Sequence, residues 1–320
     1  MHILVIGGAG YIGSHVVRDL LDNGEKITVY DDLSTGRKEN LFSTADFIEG
    51  SILDFSTLKK AMSQNIDAVI LLAGKKAVGE SMQNPAKYAE TNLIGTVNVL
   101  NAMLDCKVKN IVFSSSAAVY GSPKYLPIDE KHPLEPMSFY GFTKLEFERI
   151  LSWYAKLKDI HFVSLRYFNA VGYDAQGRIK THEENPQNLL PIIMEVASHK
   201  RSALNIYGQN YKTPDGTCIR DYIHVTDLAD AHYKALNYLA NGGKNEILNL
   251  GTEKGISVLE MVQATEEVIG HKIKVCFTSR RPGDPAVITA SSKRARRILK
   301  WKPQHSSLEN IIKTTWAIYK

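Results

Sequence analysis

Tyr140 and Lys144 stand four residues apart in the run SFYGFTKLEF, and Ser116 closes an apolar stretch upstream of them. On a helix of ~3.6 residues per turn, positions i and i+4 share a face, so the phenol and the ammonium would sit side by side. YxxxK alone also fits an amphipathic helix with a snorkelling lysine. Its company here is a glycine-rich opening, ILVIGGAGYIGSHVV, in which Gly7, Gly10 and Gly13 fall at three-residue intervals between an apolar strand and a helix. Such glycines permit a tight turn and close approach of the backbone to a pyrophosphate, which the helix N-terminus then meets with free N–H groups and a positive dipole end. The combination points to redox chemistry at an alcohol carbon with a dinucleotide as oxidant.

The base follows from electrostatics. A tyrosine in water has a pKa near ~10 and removes protons poorly at neutral pH. A unit charge ~6 Å away is worth ~2–3 kcal/mol at an effective dielectric of ~20. Two such cations, Lys144 and an oxidised nicotinamide ring, would lower the pKa of Tyr140 by ~3–4 units. Ser116 would hold the same hydroxyl in line. Asp31 ends the next strand at the ~20-residue distance from the glycines at which a carboxylate meets a ribose diol. It would repel a 2′-phosphate, which favours NAD over NADP, although Arg37 nearby could receive that phosphate. No GKS or GKT follows the glycines, so a P-loop is excluded.

These groups need a scaffold, and the pattern supplies one. Short apolar runs at His2–Ile6, Lys26–Tyr30, Asp46–Glu49, Ala68–Leu72, Asn110–Ser114 and His161–Tyr167 read as strands. Helical spacing separates them at Ser14–Asn23, Pro85–Leu104 and Tyr140–Leu157. Strands alternating with helices predict an α/β fold, a Rossmann-type doubly wound parallel sheet. After Asn169 the pattern changes: 170–190 is polar, Gln209–Gly216 is a polar loop, and Ser257–Val268 and Leu308–Tyr319 read as helices. The expected division is a dinucleotide domain at 1–169 and a smaller mixed α/β domain at 170–320, with segments near 221–251 packing back on the first.

Composition narrows the function classes. With 320 residues, 44% hydrophobic and 23% charged, the chain reads as an ordinary soluble globular protein. The net charge of +5 suits a doubly anionic small substrate. The one dense basic run, Lys293–Arg297, continues into Ile298 and Leu299 and reads as the wet face of a helix rather than a nucleic-acid site. Cys106, Cys218 and Cys276 are far apart, with neither disulfide nor metal-ligand spacing, so a reducing, cytoplasmic setting is expected and no metal is. The opening lacks a basic region before its short apolar run and is not expected to be a signal peptide; no stretch is long enough to span a membrane. His182, His224 and His305 are isolated and read as structural or surface residues.

The ordered motifs GGAGYIGS, AGKKAVGES, SSSAAVYG, YGFTK, LRYFNAVG, RDYIHVTDLADAH and RRPGD resemble, over essentially the whole chain, the UDP-glucose 4-epimerase group of the extended short-chain dehydrogenase/reductase family. The resemblance implies reversible interconversion of UDP-galactose and UDP-glucose by transient oxidation at sugar carbon 4, with NAD retained. It implies that Gly7, Gly10, Tyr11, Ile12 and Gly13 hold the pyrophosphate. Asp31, Leu33, Thr35 and Gly36 would surround the adenosine, with Ser51 and Ile52 near the adenine. Leu72, Ala73, Gly74 and Lys76 would line the cofactor, Asn92 would approach it, and Tyr140, Lys144 and Phe168 would meet its nicotinamide end. Lys76, Ser116, Tyr140 and Asn169 would meet the sugar, and Asn188 and Leu189 the nucleotide sugar. Asn205 and Tyr207 would lie near uracil, and Arg220, Arg281 and Asp284 would hold diphosphate and ribose. A homodimer is implied through helices at about 90–104 and 141–157.

The chain also departs from the group. Ser51 stands where an Asp near adenine is usual, Leu71 where a His is frequent, and Thr35-Gly36 where Asn-Ser is usual. Val287 matches a position facing the sugar 2-substituent, where a bulky Tyr excludes N-acetyl groups, so some turnover of UDP-N-acetylglucosamine is expected. A 4,6-dehydratase would need an acid and a base beside Ser116, where this chain has Ala117-Ala118. A uronate epimerase or decarboxylase stays open, and so does a non-catalytic NAD-binding sensor, which would have no need of Ser116, Tyr140 and Lys144.

Overall fold

The computed structural model describes residues 1–182, 186–281 and 283–320. Residues 183–185 of the polar 170–190 stretch and Pro282 of RRPGD lie outside the described residues. The first half runs β1 (His2–Ile6), α1 (Tyr11–Asp22), β2 (Lys26–Asp31), β3 (Asp46–Glu49), α2 (Phe55–Met62), β4 (Ala68–Leu71), α3 (Val78–Gln83), α4 (Pro85–Ala89), α5 (Thr96–Asp105), β5 (Asn110–Ser116), α6 (Phe139–Lys158) and β6 (His161–Tyr167). It continues with β7 (Asn169–Val171), α7 (Leu189–Ala197), β8 (Leu204–Tyr207), β9 (Ile219–His224), α8 (Val225–Ala240), β10 (Glu246–Leu250) and β11 (Gly255–Ser257). Then come α9 (Val258–Ile269), β12 (Val275–Thr278), β13 (Val287–Ile288), α10 (Lys293–Leu299) and α11 (Leu308–Tyr319).

Seven parallel strands form the main sheet in the order β10-β6-β5-β4-β1-β2-β3. β4 is buried at every residue and β1 at all but its first, as befits strands covered on both faces. One face packs Val16, Val17 and Leu20 of α1 with Leu228, Ala231 and Leu236 of α8. The other packs Leu58 of α2, Leu100 and Met103 of α5, and Phe147 and Leu151 of α6. The strand order reverses between β1 and β4, and the crevice outside their carboxyl ends is where ligands bind in open sheets of this kind.

A second core joins α7, α9 and α11 around Ile193, Met261 and Ile311. Beside it lie a four-stranded sheet, β11-β9-β13 with β7 also on β9, and the β8–β12 pair. The chain returns to the first sheet in between: β10 is its edge strand, and α8 packs on α1, β5 and β6.

The predicted helix at Pro85–Leu104 is in fact three pieces, because a π-helical turn at Glu90–Gly95 separates α4 from α5. Here Asn92 turns inward to bond groups outside the helix, while Thr96 Oγ1 donates to the Asn92 carbonyl at 2.6 Å. A π turn of this kind inserts one residue into the ladder and commonly marks a functional region. β5 extends two residues beyond the predicted end, through Ser116, by pairing with Tyr167 of β6.

Candidate active site

The glycine turn has the shape a dinucleotide requires. Gly7 has φ +86°, and a Cβ there would lie 2.5 Å from the Ala73 nitrogen. A Cβ on Gly13 would meet the Gly7 carbonyl oxygen at 2.0 Å. The turn is therefore closed to side chains from both sides. α1 begins at Gly10 with no side-chain cap and no acidic residue in its first turn, so the terminus is electropositive. The Tyr11 side chain does something else as well: its hydroxyl donates to the Gly172 carbonyl at 2.5 Å, tying the first turn of α1 to the second lobe.

Asp31 ends β2 as predicted, and its carboxylate accepts the backbone N–H groups of Ala9 and Leu33, each at 2.9 Å. It thus braces the glycine turn as well as facing the crevice, and burial pushes its pKa up. Gly36 lies against it, since a Cβ there would be 2.7 Å from Asp31 Oδ1. Leu33 adopts a left-handed backbone with φ 56°. Thr35 is exposed. At the next strand end, Tyr30 donates to the Ser51 carbonyl at 2.8 Å, while Ile52 is buried against Gly95 and belongs to packing.

Leu72 and Ala73 both donate to the Ile6 carbonyl, at 2.8 and 3.0 Å, which sets the far wall of the crevice beside the glycine turn. Gly74 follows, and Lys76 is exposed. The Asn92 amide is fully engaged: it accepts from Lys75 N at 2.8 Å and donates to the Lys75 carbonyl at 3.0 Å and to Thr143 Oγ1 at 3.1 Å. It stitches the crevice wall to α6 instead of offering an open donor.

The catalytic corner is built from three successive serines at the end of β5. The Ser114 carbonyl accepts Lys144 Nζ at 2.9 Å, Ser115 Oγ donates to Glu148 at 2.5 Å, and Ser116 Oγ accepts Ala118 N at 3.1 Å. The Ser116 hydroxyl pulls the Tyr140 pKa down, toward the phenolate. α6 starts at Ser138, whose Oγ caps Gly141 N at 3.1 Å, and Ser81 Oγ accepts Tyr140 N at 3.1 Å. Gly141 allows the close approach, because a Cβ there would be 2.4 Å from the Ala118 carbonyl oxygen. Lys144 Nζ lies 4.8 Å from the centroid of Phe113 and 5.9 Å from that of Tyr140.

The expected lowering of the Tyr140 pKa needs two cations, Lys144 and an oxidised nicotinamide; in the protein alone burial pushes that pKa up, opposed by Ser116. Both groups are desolvated by the same core: burial also lowers Lys144 to about 8, with Glu148 pulling the other way. The polypeptide on its own keeps Tyr140 a phenol.

The remaining residues lie just past β6 and on the second lobe. Phe168 is buried with Val119, Ile128, Leu145 and Ala290, and Asn169 opens β7. Asn188 is the N-cap of α7 and Leu189 its first residue. Asn205 and Tyr207 alternate with buried residues along β8 and share its exposed face. Arg281 stacks on Tyr207 with its guanidinium carbon 3.9 Å from the ring centroid, and Arg220 pairs with Asp284. Gly283 brings this segment to Met137, just before α6. Val287, on β13, leaves a small side chain beside Ile219. His224 is buried: its Nδ1 accepts Thr226 N at 3.1 Å, its Nε2 lies 3.0 Å from Thr314 Oγ1, and its ring sits under Gly172. Sequence reasoning missed Ser81, Thr143, Glu148 and Arg166; for Glu148, the lone carboxylate one turn beyond Lys144 was the available signal.

A doubly wound sheet with a glycine turn at its switch point and a Ser–Tyr–Lys corner beside it defines a dinucleotide-dependent enzyme acting on an alcohol. The chain belongs to the NAD dependent epimerase/dehydratase family, whose model matches residues 3–251. It is 45% identical to a UDP-glucose 4-epimerase of Halalkalibacterium halodurans over 321 residues, covering 100% of this chain and 96% of that one. The crystal structure of a UDP-glucose 4-epimerase from Brucella ovis in complex with NAD superposes with a TM-score of 0.97 at 42% identity, over 99% of this chain and 98% of that one. A UDP-Glc/GlcNAc 4-epimerase of Campylobacter jejuni superposes with a TM-score of 0.88 at 36% identity, over 99% of this chain and 98% of that one.

Proposed function

We propose that this protein is an NAD-dependent UDP-glucose 4-epimerase that interconverts UDP-galactose and UDP-glucose. The observation that carries this reading is Tyr140 on α6 with Lys144 Nζ 5.9 Å from its ring centroid, beside Ser116 at the end of β5. The glycine turn fits NAD because only hydrogen is accommodated at Gly7 and Gly13. In our reading Gly7, Gly10, Tyr11, Ile12 and Gly13 hold its pyrophosphate, Asp31 its ribose diol, and Tyr140 and Lys144 its nicotinamide end. NAD, when bound, supplies the oxidant for sugar carbon 4 and is restored within the same turnover.

Tyr140 takes the proton of the 4-hydroxyl, which Ser116 aligns, and returns it after the sugar ring has turned over. Lys144 stabilises the phenolate through its fixed charge. Arg220, Arg281, Asn205 and Tyr207 grip the UDP portion, so binding energy remote from the reacting carbon retains the sugar while it rotates. The second lobe, 170–320 less the segments around 221–251, is the proposed nucleotide-sugar domain, and 1–169 the NAD domain.

Val287 leaves room beside the sugar 2-substituent, and we extend the substrate range to UDP-N-acetylglucosamine. A sample that neither turns over that sugar nor is inhibited by it would refute the extension. Ile94, Trp153 and Leu157 are 58%, 59% and 64% exposed on the π turn and α6, an arrangement that suits a homodimer across these helices; light scattering at micromolar concentration reads the mass. No helix among the described residues is long and apolar enough to cross a membrane, and the three free cysteines suit the cytoplasm. The main test is incubation with UDP-galactose without added NAD, followed by chromatography. UDP-glucose formed at a steady rate supports 4-epimerisation with retained cofactor; no product even with NAD supplied overturns it, and turnover of a UDP-uronate offered in its place would favour a different family activity.

A further inference from the structure

Behind Lys144 lies a charge pair that the reaction itself does not call for. Glu148 and Arg166 are each 2% exposed and face one another, with Arg166 Nε donating to Glu148 Oε1 at 2.9 Å. Ser115 Oγ donates to the same carboxylate oxygen at 2.5 Å. Arg166 is held from its other side, donating through Nη1 to Tyr120 OH at 2.9 Å, and Tyr120 in turn donates to Asn249 Oδ1 at 2.6 Å. The carboxylate is therefore fixed from β5, β6 and the 3-10 turn that follows Ser116. A buried ion pair is a weak source of stability, because desolvation offsets much of the attraction. Its placement is more informative. Glu148 stands four residues after Lys144 on α6, so it lies on the same face one turn on.

We propose that Glu148 is a positioning residue for Lys144: held rigid by Arg166 and Ser115, it supplies the fixed negative charge that keeps the buried ammonium protonated and aimed between the Ser114 carbonyl and Tyr140. Among the described residues Lys144 has one direct hydrogen-bond acceptor, the Ser114 carbonyl, and it lies against the faces of Phe113 and Tyr140. The other titratable groups around this corner are neutral or turned elsewhere. His232, on α8, is held neutral by burial and lies 3.2 Å from Ser114 Oγ. Tyr167, on β6, has its pKa raised by burial, opposed by Ser114. On its outer side Arg166 borders a cavity of about 560 Å³ shared with Glu130, Lys156, Glu246 and Arg294, where Arg294 is paired to Glu246. Glu148 is thus the carboxylate that offsets the desolvation of Lys144.

The inference rests on Lys144 as the cation beside Tyr140, and the two can fail separately. The probe is the protein labelled with 13C at lysine Cε and studied without added cofactor, with the Lys144 resonance assigned by its loss in Lys144→Met. Removing the Glu148 charge lowers the titration midpoint of Lys144 by about one unit or more, given a charge within ~6–8 Å at an effective dielectric of ~20. Glu148→Gln alone strands a buried arginine and can unfold the corner, so Glu148→Gln/Arg166→Gln is measured beside it. In the double variant thermal stability recovers toward the parent, the midpoint stays low, and the alkaline limb of turnover moves down in pH with it. A double variant whose Lys144 midpoint stays within a few tenths of the parent's overturns the inference and leaves the pair a packing element. Lys144→Met with undiminished turnover would instead sink the reading of Lys144 itself.

Discussion

Two regions of the site are built in opposite ways. In the corner of Ser116, Tyr140 and Lys144 the ammonium is buried and the other two are half-buried, and the corner is tied to separate elements: Ser81 on α3 accepts Tyr140 N, and the Ser114 carbonyl on β5 accepts Lys144 Nζ. The ledge of Asn205, Tyr207, Arg220, Arg281 and Asp284 sits on short strands and a loop of the second lobe. There the side chains mainly hold one another: exposed Arg281 stacks on Tyr207, and half-buried Arg220 pairs with Asp284. Proton transfer needs a phenol and an ammonium in one fixed relation, which burial and many bonds provide. Gripping a nucleotide while its sugar turns needs strong charges that can adjust.

If this division is right, damage to the corner falls on turnover and damage to the ledge on binding. Tyr140→Phe should lower turnover by about 1,000-fold or more while changing UDP affinity by less than about threefold, measured by steady-state kinetics and calorimetry. Equal losses in both would break the comparison at its centre. Arg281→Ala removes a charged partner for phosphate and should raise KM about 10–100-fold with a smaller change in turnover. A loss confined to turnover would place Arg281 in the chemistry instead.

Stability separates the regions as well. His15 on α1 and His232 on α8 are buried, and burial lowers each to about 4 against an ordinary 6.5. The unfolded chain binds the additional protons between those values, so stability falls as pH drops from about 6.5 toward 4, by about 2 kcal/mol per histidine at pH 5. Denaturant melts at pH 7 and pH 5 read this, and His232→Gln should flatten the slope. The smallest effect is at the ledge margin: Val287→Tyr should depress UDP-N-acetylglucosamine turnover several-fold more than UDP-glucose turnover, and an unchanged ratio would remove Val287 from specificity.

The corner was legible in the sequence because its chemistry is local. YxxxK is a spacing within one helix, and the glycines sit in one turn. The sheet was legible too, since buried parallel strands such as Val69–Leu71 are unbroken apolar runs. What escaped was whatever depends on meetings across the chain. Asn92 looked like a cofactor contact but spends its amide on Lys75 and Thr143, and the π turn that aims it has no local signature. Ser81 and Arg166 lie 59 and 18 residues from the partners they hold. The burial that pushes the Tyr140 pKa up escaped for another reason: a spacing shows which charges are near, but depth of burial belongs to the folded core.

The bond from Tyr11 to the Gly172 carbonyl has a mechanical consequence. Tyr11 belongs to the turn that would cradle the pyrophosphate, while Gly172, with φ +86°, sits over His224 in the second lobe. A swing of that lobe away from the sheet therefore pulls on the first turn of α1. Hydrogen exchange along α1, compared between the parent and Tyr11→Phe, reads that linkage; identical exchange would mean the bond transmits nothing. With the bond intact, the second lobe and the turn that would cradle the dinucleotide are fastened at one point, like a door and its frame at the latch.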